Sequence, residues 1–395
     1  MGRETKKTFL SRLGKSGREV VDRVSSKCRD LAFDEYIAKC WNDAIAWSDR
    51  SRPGQLKSCE TLKECFPSLT DEQVDEMFRL LHFSEDVEWT AAARRAVFDD
   101  PAELVQGLRL AYRTLFALRG RWQNSCELDQ LLPLCAVGDI EIARQVAKGR
   151  RGALSAVPNP VELTTIATVA WLNEDTETQE IIVREIESMS MKYVRPWEEA
   201  LLRAFCAAHH NDAKSVASQI GNLLSSIQKL RDKTDTSHII NLDAHGLYRL
   251  LESASPQLVE EFDVTQGFPW DPEVHAWCSD HPLSSEKWDF RGFSKSLHQI
   301  VAKQKVPAWL PKLVFYQVEL LEADPTNPDV VAAVEGRMSF SQHDPMTVIK
   351  ACPVVYLYEL DLEIAELWCR RLVASACKAK VSKMKPQPYR PVVPR

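Results

Sequence analysis

The sequence has little glycine and lacks the nucleotide-binding signatures that depend on it. Only 14 of the 395 residues are glycine, and neither Gly-x-x-x-x-Gly-Lys-Ser/Thr nor Gly-x-Gly-x-x-Gly occurs. Such loops need glycine so that backbone amides can approach phosphate groups, and their absence excludes phosphate cradles. A Gly-x-Ser-x-Gly elbow and a His-Glu-x-x-His helix are missing too. We therefore expect neither an enzyme nor a cofactor.

Long hydrophobic runs and closely paired cysteines are also lacking. No apolar stretch reaches the ~18 residues that a membrane-spanning helix needs, and Phe9-Leu10 is followed at once by Ser11-Arg12, which is not a signal peptide. The eleven cysteines include no Cys-x-x-Cys pair, and such usage is typical of a reducing compartment. The sequence thus predicts a cytoplasmic protein without a membrane partner.

Acidic residues outnumber basic ones, and the basic residues are densest at the two ends of the chain. The net charge is −6 and the pI is about 5.9, which disfavours direct binding of nucleic acid. A basic stretch follows Glu366 and ends in a proline-rich segment. Because terminal charge runs are usually solvated, we predict a basic flexible tail over 381–395.

Apolar residues, in contrast, are abundant and recur three and four positions apart over most of the length. This period predicts an all-α protein, either an irregular helical bundle or a short tetratricopeptide-like α-solenoid of helical hairpins. Alternation with a period of two is scarce. We therefore expect helices near the C-terminus as well, over Leu310–Leu321, 328–338 and Pro353–Cys377.

Three short turns indicate an internal repeat between residues 125 and 235. Each contains an aspartate, Asp139, Asp175 or Asp212, and these lie 36 and 37 residues apart between apolar helical segments. We predict that each aspartate caps the second helix of a hairpin, because a single hairpin cannot bury its apolar face and must stack on its neighbours. An irregular bundle of similar helices remains the alternative.

Composition divides the chain into four predicted units. They are an N-terminal helical domain (1–122), a helical-hairpin repeat region (123–254), a connection rich in proline and tryptophan with C-terminal helices (255–380), and the tail (381–395). Four tryptophans between residues 255 and 309 predict an ordered connection wrapped onto the helices, since so much aromatic surface is not left in water. These tryptophans are Trp270, Trp277, Trp288 and Trp309.

Two clusters of titratable residues are candidate sites. The most acidic stretch contains Glu174, Asp175, Glu177 and Glu180, which a basic partner could bind, although such residues often form a solvated face. The second cluster surrounds His238, Asp243 and His245. A metal-dependent or histidine-based enzyme would require these three side chains to converge on one point, which the spacing alone does not show.

Four segments resemble the immunity protein 49 family of bacterial polymorphic-toxin systems. They are Trp197–Ala204, His210–Ala213, Asn241–Leu250 and Phe268–Pro272. The resemblance covers only the middle of the chain. It implies an all-helical cytoplasmic protein that binds and silences a co-encoded toxin, and it implies no catalytic residues.

We therefore expect an immunity protein that neutralises its cognate toxin by covering part of the toxin surface. A basic nuclease would suit the acidic net charge. A tetratricopeptide-like adaptor for a peptide or protein is the first alternative, and the histidine-based enzyme is the second. Gly246 is expected to allow a close helix approach. Candidate partner-binding residues are Glu174, Asp175, Glu177, Glu180, His238, Asp243, His245, Trp270 and Asp271.

Overall fold

The computed structural model describes residues 9–28, 30–33, 35–46, 71–117, 130–148, 160–227, 239–281, 316–338, 345–360 and 362–384. These residues are predominantly helical, which confirms the predicted fold class. The helices are α1 (Phe9–Arg12), α2 (Lys15–Cys28), α3 (35–46), α4 (Asp71–Phe98), α5 (Pro101–Ala117), α6 (Leu131–Ala136), α7 (Ile140–Ala147), α8 (Pro160–Leu172), α9 (Thr176–Ser188), α10 (Pro196–His209), α11 (Ala213–Ile227), α12 (Leu242–Ala254), α13 (Pro272–Asp280), α14 (Pro328–Met338), α15 (Pro345–Lys350) and α16 (Leu362–Ala374). The strands are β1 (Tyr316–Glu322), β2 (Val354–Leu360) and β3 (Lys378–Lys383).

The hairpins α6–α7, α8–α9 and α10–α11 carry the internal repeat in their turns. The residue before each aspartate has a positive φ, which is 81° at Gly138, 54° at Glu174 and 56° at Asn211. The amide of each aspartate donates to the carbonyl five residues earlier, and the amide before it donates to the carbonyl three residues earlier. This pair of bonds is the Schellman motif that ends a helix. The three turns are therefore structurally equivalent.

Two of the three aspartates also cap the helix that follows, as predicted. Asp175 and Asp212 each accept a hydrogen bond from the backbone amide three residues later, at 3.1 Å and 3.0 Å. Asp139 makes no side-chain cap bond, and the prediction is wrong there. Its carboxylate is buried 3.9 Å from Arg109 Nε, so a tertiary ion pair replaces the local cap.

The hairpins stack, but the stack does not continue as a regular solenoid. Helix α10 packs against both α8 and α9, whereas α12 packs mainly on α6 and also touches α7, α8 and α11. Gly246 permits the contact with α6, because a Cβ at this position would lie 1.9 Å from the carbonyl oxygen of Leu132. The expected close helix approach at Gly246 is thus confirmed, and the stack closes into a bundle.

One hydrophobic core extends from Phe9 in α1 to Cys278 in α13. The described residues of 1–122 and of 123–254 share this core, and the described part of the connection, 255–281, packs into it as well. The predicted boundary near residue 122 and the tryptophans Trp288 and Trp309 lie outside the described residues.

The C-terminal part is a small α/β unit with its own core, where we had predicted helices alone. β1 lies between β2 and β3 in an antiparallel sheet, and α16 packs on β1 and β3. Val318 and Leu320 of the central strand are fully buried. The helices predicted over Leu310–Leu321 and Pro353–Cys377 are therefore wrong where β1 and β2 lie, whereas α14 and α16 are confirmed.

Strand pairing explains why these short apolar runs are not helical. A run of seven residues fits a helix or a strand equally well from its sequence. Here the backbone pairing of β1 with both β2 and β3 decides, and it buries Val318 and Leu320. The surface pairs Lys380–Glu319 at 3.0 Å and Lys378–Glu322 at 2.6 Å add little. β3 also extends into the predicted tail, of which 385–395 lies outside the described residues.

Candidate protein-binding surface

The acidic stretch predicted from the sequence forms an exposed surface on α9, which we call the acidic ridge. It consists of Glu174, Glu177, Glu180 and Glu187, all of which are exposed. The last three lie on one face of α9 because they are three and seven residues apart. The opposite face buries Ile182 in the core. The ridge is thus held in place by the packing of the helix that carries it.

Arginine and histidine side chains lie beside some of the ridge carboxylates but not all of them. Arg144, Arg184 and His210 each lie beside one of its carboxylates, at 3.8 Å for Arg144 and 2.9 Å for His210. Such exposed pairs contribute at most about 1 kcal/mol each to stability. Among the described residues, Glu177 has no ion pair, so the ridge retains negative charge that a partner could use.

A second feature is a surface groove between α10 and α11, which we call the α10–α11 groove. It contains two hollows of about 430 and 330 Å³ that share Arg203 and Gln219. Its other lining residues are Ile186, Glu187, Met189, Met191, Pro196, Trp197, Glu199, Ala200, Cys206, Ala207, His210, Asp212, Ser215, Asn222, Ser225 and Ser226.

Three residues predicted around α12 come together in the interior instead of on the surface. His245 stacks on Trp270 with the ring centroids 3.8 Å apart, and its Nε2 accepts a hydrogen bond from the Asp271 amide at 3.0 Å. Each of the three is only 1% exposed. Burial, together with the charges of His275 and Arg249, lowers the pKa of His245 well below its ordinary value. The ring is therefore neutral and can accept this bond.

The carboxylate of Asp271 pairs with Arg95 of α4, which is fully buried. Arg95 Nε donates to Asp271 at 2.8 Å, and one terminal nitrogen of Arg95 lies 2.6 Å from Glu273. Asp271 also caps α13 by accepting from two backbone amides. Sequence analysis missed Arg95 because it is 176 residues from Asp271. The one local indication that Arg95 is buried is its position inside the apolar segment Ala91–Val97.

The burial of His245, Trp270 and Asp271 corrects their assignment to partner binding. These side chains join α12, α13 and α4, and none of them reaches the surface in this structure. Asp175 likewise has a role in the fold, as the cap of α9. Of the predicted contact residues, only Glu174, Glu177 and Glu180 are exposed, while His238 lies outside the described residues.

The side chains proposed for a histidine-based enzyme do not converge where the structure describes them. Asp243 interacts with Glu88 of α4 and Tyr112 of α5, whereas His245, two residues along α12, packs on Trp270. Burial above all raises the pKa of Glu88 to about 7. Within the described ranges, no group of three or more metal-ligating side chains is present. Nor is any helix in these ranges long and apolar enough to cross a membrane.

Comparison with known proteins gave no relative. No protein-family model, no curated protein and no solved structure matches this chain. The resemblance of its middle segments to the immunity protein 49 family therefore stays a prediction.

Proposed function

We propose that this protein is a cytoplasmic immunity protein that binds a basic toxin domain and neutralises it by covering part of its surface. The observation that carries this proposal is the acidic ridge, whose exposed carboxylates stand on a helix with a buried opposite face. The helix that carries the ridge is packed against the core, so its backbone would lose little entropy when a partner docks. Its charge would steer a basic partner toward it at low ionic strength.

The dimensions of the ridge suit one side of a protein interface. From Glu174 to Glu187 it extends about 20 Å along α9 at the usual helical rise. A standard interface covers about 800 Å² on each partner, so the ridge would form the charged part of a larger contact. Neighbouring exposed residues of α7 and α10, including Glu141 and Arg203, would complete it.

The proposal is tested with the protein encoded by the neighbouring gene. We expect this protein to be toxic when expressed alone, to be tolerated with the present chain, and to form a complex with it after purification. The double variant Glu177→Lys and Glu180→Lys should lower the association rate about tenfold or more in 50 mM salt, because it reverses the charge that steers the partner.

The matched control carries the same change at another exposed pair, Glu260→Lys and Glu261→Lys, outside α9. It should bind like the unchanged protein. A neighbouring protein that is harmless, or that does not associate with this chain, would refute the proposal.

A second candidate function is that of an adaptor that binds a helix or peptide. It is favoured by the α10–α11 groove, since α12 packs mainly on α6 and touches α11 only in part among the described residues. The two functions differ in what they require, because an adaptor needs no toxic partner.

A further inference from the structure

Helix α13 is attached to the bundle by few apolar and many polar contacts. Of its nine residues, only Val274 and Cys278 are buried, whereas α12 buries every residue from Ala244 to Leu251. Arginines on four different helices contact the segment 271–281 instead. They are Arg12 of α1, Arg95 of α4, Arg109 of α5 and Arg249 of α12. Detaching this segment therefore exposes less apolar surface than detaching α12 would.

His245 of α12 holds the start of this segment, and it does so as a neutral ring. The amide of Asp271 donates to its Nε2 at 3.0 Å, and a ring nitrogen that accepts a hydrogen bond carries no proton. Protonation of this nitrogen would place two donors opposite each other and break the bond. It would also create a charge on a ring that is 1% exposed and stacked on Trp270, which is unfavourable away from water.

His275 of α13 is a second imidazole that is neutral while the segment is attached. Its Nδ1 is buried and has no hydrogen-bond partner in the part of the chain that the structure describes. Its ring lies edge-on to Tyr248, with the ring centroids 5.0 Å apart, and Arg249 donates to its backbone carbonyl. Burial first, and then the charge of Arg249, lowers the pKa of His275 to about 4. A proton on His275 would thus meet a like charge.

The carboxylates around the two imidazoles already have partners. The ion pairs are Asp271 and Glu273 with Arg95, Glu273 with Arg12, and Glu252 with Arg249. Asp243 of α12 interacts with Glu88 and Tyr112 instead. The other elements that pack on α12 are α6 and Pro256–Val259, which have no charged residue, and α7, α8 and α11, whose charged residues are Glu141, Arg144, Glu162 and Lys214. A proton on either histidine therefore adds net positive charge to this centre.

We propose that residues 268–281 form a strap that opens locally from α5 and α12 when His245 and His275 take up protons. Opening hydrates both rings and the Nε of Arg249, which is also buried without a hydrogen-bond partner among the described residues. It uncovers the side of α12 on which Trp270 stacks. The strap adds an acid-sensitive element to a protein whose proposed partner binds elsewhere, on α9.

Proton linkage sets the size of the effect. An exposed imidazole has a pKa of about 6.5, so a change from pH 7 to pH 5 favours the open strap about 25-fold for each histidine that is protonated only there. The two histidines together give an increase of roughly several hundredfold in the open population.

Hydrogen–deuterium exchange of the intact protein tests the strap. After correction for the intrinsic rate at each pH, the exchange rate of an amide reports how often its segment opens. We expect the amides of 268–281 to exchange about a hundredfold or more faster at pH 5 than at pH 7. At pH 5 they should also exchange about tenfold or more faster than the slowest amides of α8 and α10, since a local opening costs less than global unfolding.

Glutamine variants show whether the histidines cause the opening. Glutamine stays neutral and its side-chain oxygen can still accept from the Asp271 amide, so the double variant His245→Gln and His275→Gln should change less than about threefold between pH 7 and pH 5. The single variant His275→Gln retains His245 and should keep about a 25-fold rise, which tests the inference even if the double variant does not fold. The matched control is His210→Gln, because His210 is an exposed histidine outside the strap. It should keep the full rise.

The inference is overturned if the strap and the slowest amides of α8 and α10 exchange at one rate at pH 5. The histidines would then be uncovered only by global unfolding. A rise below about threefold in the unchanged protein, or a full rise in His275→Gln, would overturn it too.

Discussion

The acidic ridge and the buried centre around Trp270 contain similar residues in opposite environments. Each has an aspartate at the start of its helix: Asp175 lies beside the ridge before α9, and Asp271 belongs to the buried centre before α13. Asp175 accepts a hydrogen bond from one backbone amide of its helix and Asp271 from two. Asp271 is 1% exposed and also pairs with Arg95, whereas Asp175 has no such partner among the described residues. The same local motif is thus only a helix cap at Asp175, whereas at Asp271 it also joins α13 to α4 through Arg95.

This difference teaches that a charged residue near a turn does not by itself indicate a binding surface. Sequence analysis assigned both groups to partner binding, and only the ridge is on the surface. A buried carboxylate needs a cation and hydrogen bonds to offset its desolvation, and Arg95 supplies them from another helix. The ridge has no such requirement, because water solvates it.

The largest expected effect is on the free energy of unfolding, which should fall much more when Asp271 is replaced than when Asp175 is replaced. Asp271→Ala should lower the free energy of unfolding by about 3–5 kcal/mol, because it leaves the buried Arg95 guanidinium without its main counter-ion. Glu273, which also contacts Arg95, would offset part of this loss. Urea unfolding followed by circular dichroism measures the change. Asp271→Asn keeps an oxygen that can cap α13 but removes the charge, so it should show most of the loss expected for Asp271→Ala. A loss below about 1 kcal/mol would show that the Asp271–Arg95 pair does not hold α13 and α4 together.

A smaller effect should appear as a dependence on pH. Burial first, and then Arg249, lowers the pKa of His275 to about 4, and burial also lowers that of His245. Between pH 6.5 and 4 the unfolded chain therefore binds protons that the folded chain does not. The contribution of these histidines to stability should be fully present above pH 6.5 and fall as the pH drops through this window. Glu88, whose pKa is raised to about 7, offsets part of the fall, because the folded chain takes up a proton there that the unfolded chain does not.

Thermal unfolding at a series of pH values tests this dependence. The variant His275→Gln should lose stability less steeply than the unchanged protein between pH 6.5 and 4, and the two curves should run parallel above pH 7. Equal slopes in the acid window would show that His275 is not held neutral in the fold.

The smallest effect is expected at the cap of the ridge. Asp175→Ala removes one acceptor from the first turn of α9, which costs about 1 kcal/mol in similar helices. Denaturant unfolding should show this loss, and Asp175→Asn, which retains an acceptor oxygen, should restore most of it. A loss as large as that of Asp271→Ala would mean that the two aspartates do not differ in the way proposed.

The parts of the fold that were predicted correctly are those with local causes. The helical period, the turns at 36- and 37-residue spacing and the caps at Asp175 and Asp212 depend on residues within one turn of each other. Where the cause is distant, prediction failed. Asp139 is buried beside Arg109, and β1 and β2 depend on strand pairing.

The features of the candidate site can also be separated into those with local causes and those with distant causes. Exposed carboxylates on α9 could be found from charge alone, because a helix with one apolar face must present its polar face to water. The α10–α11 groove could not be predicted from charge, because it depends on which helices α12 packs against.

The sequence by itself determined that this chain forms amphipathic helices, that three of its turns are alike, and that one face of α9 is acidic. These properties arise from interactions between residues close in the chain. Only the tertiary structure decided that His245, Trp270 and Asp271 are buried, that residues 316–384 include a sheet, and that α10 and α11 border a groove. Burial is a property of packing between distant segments, and a single helix does not reveal which of its neighbours will cover it.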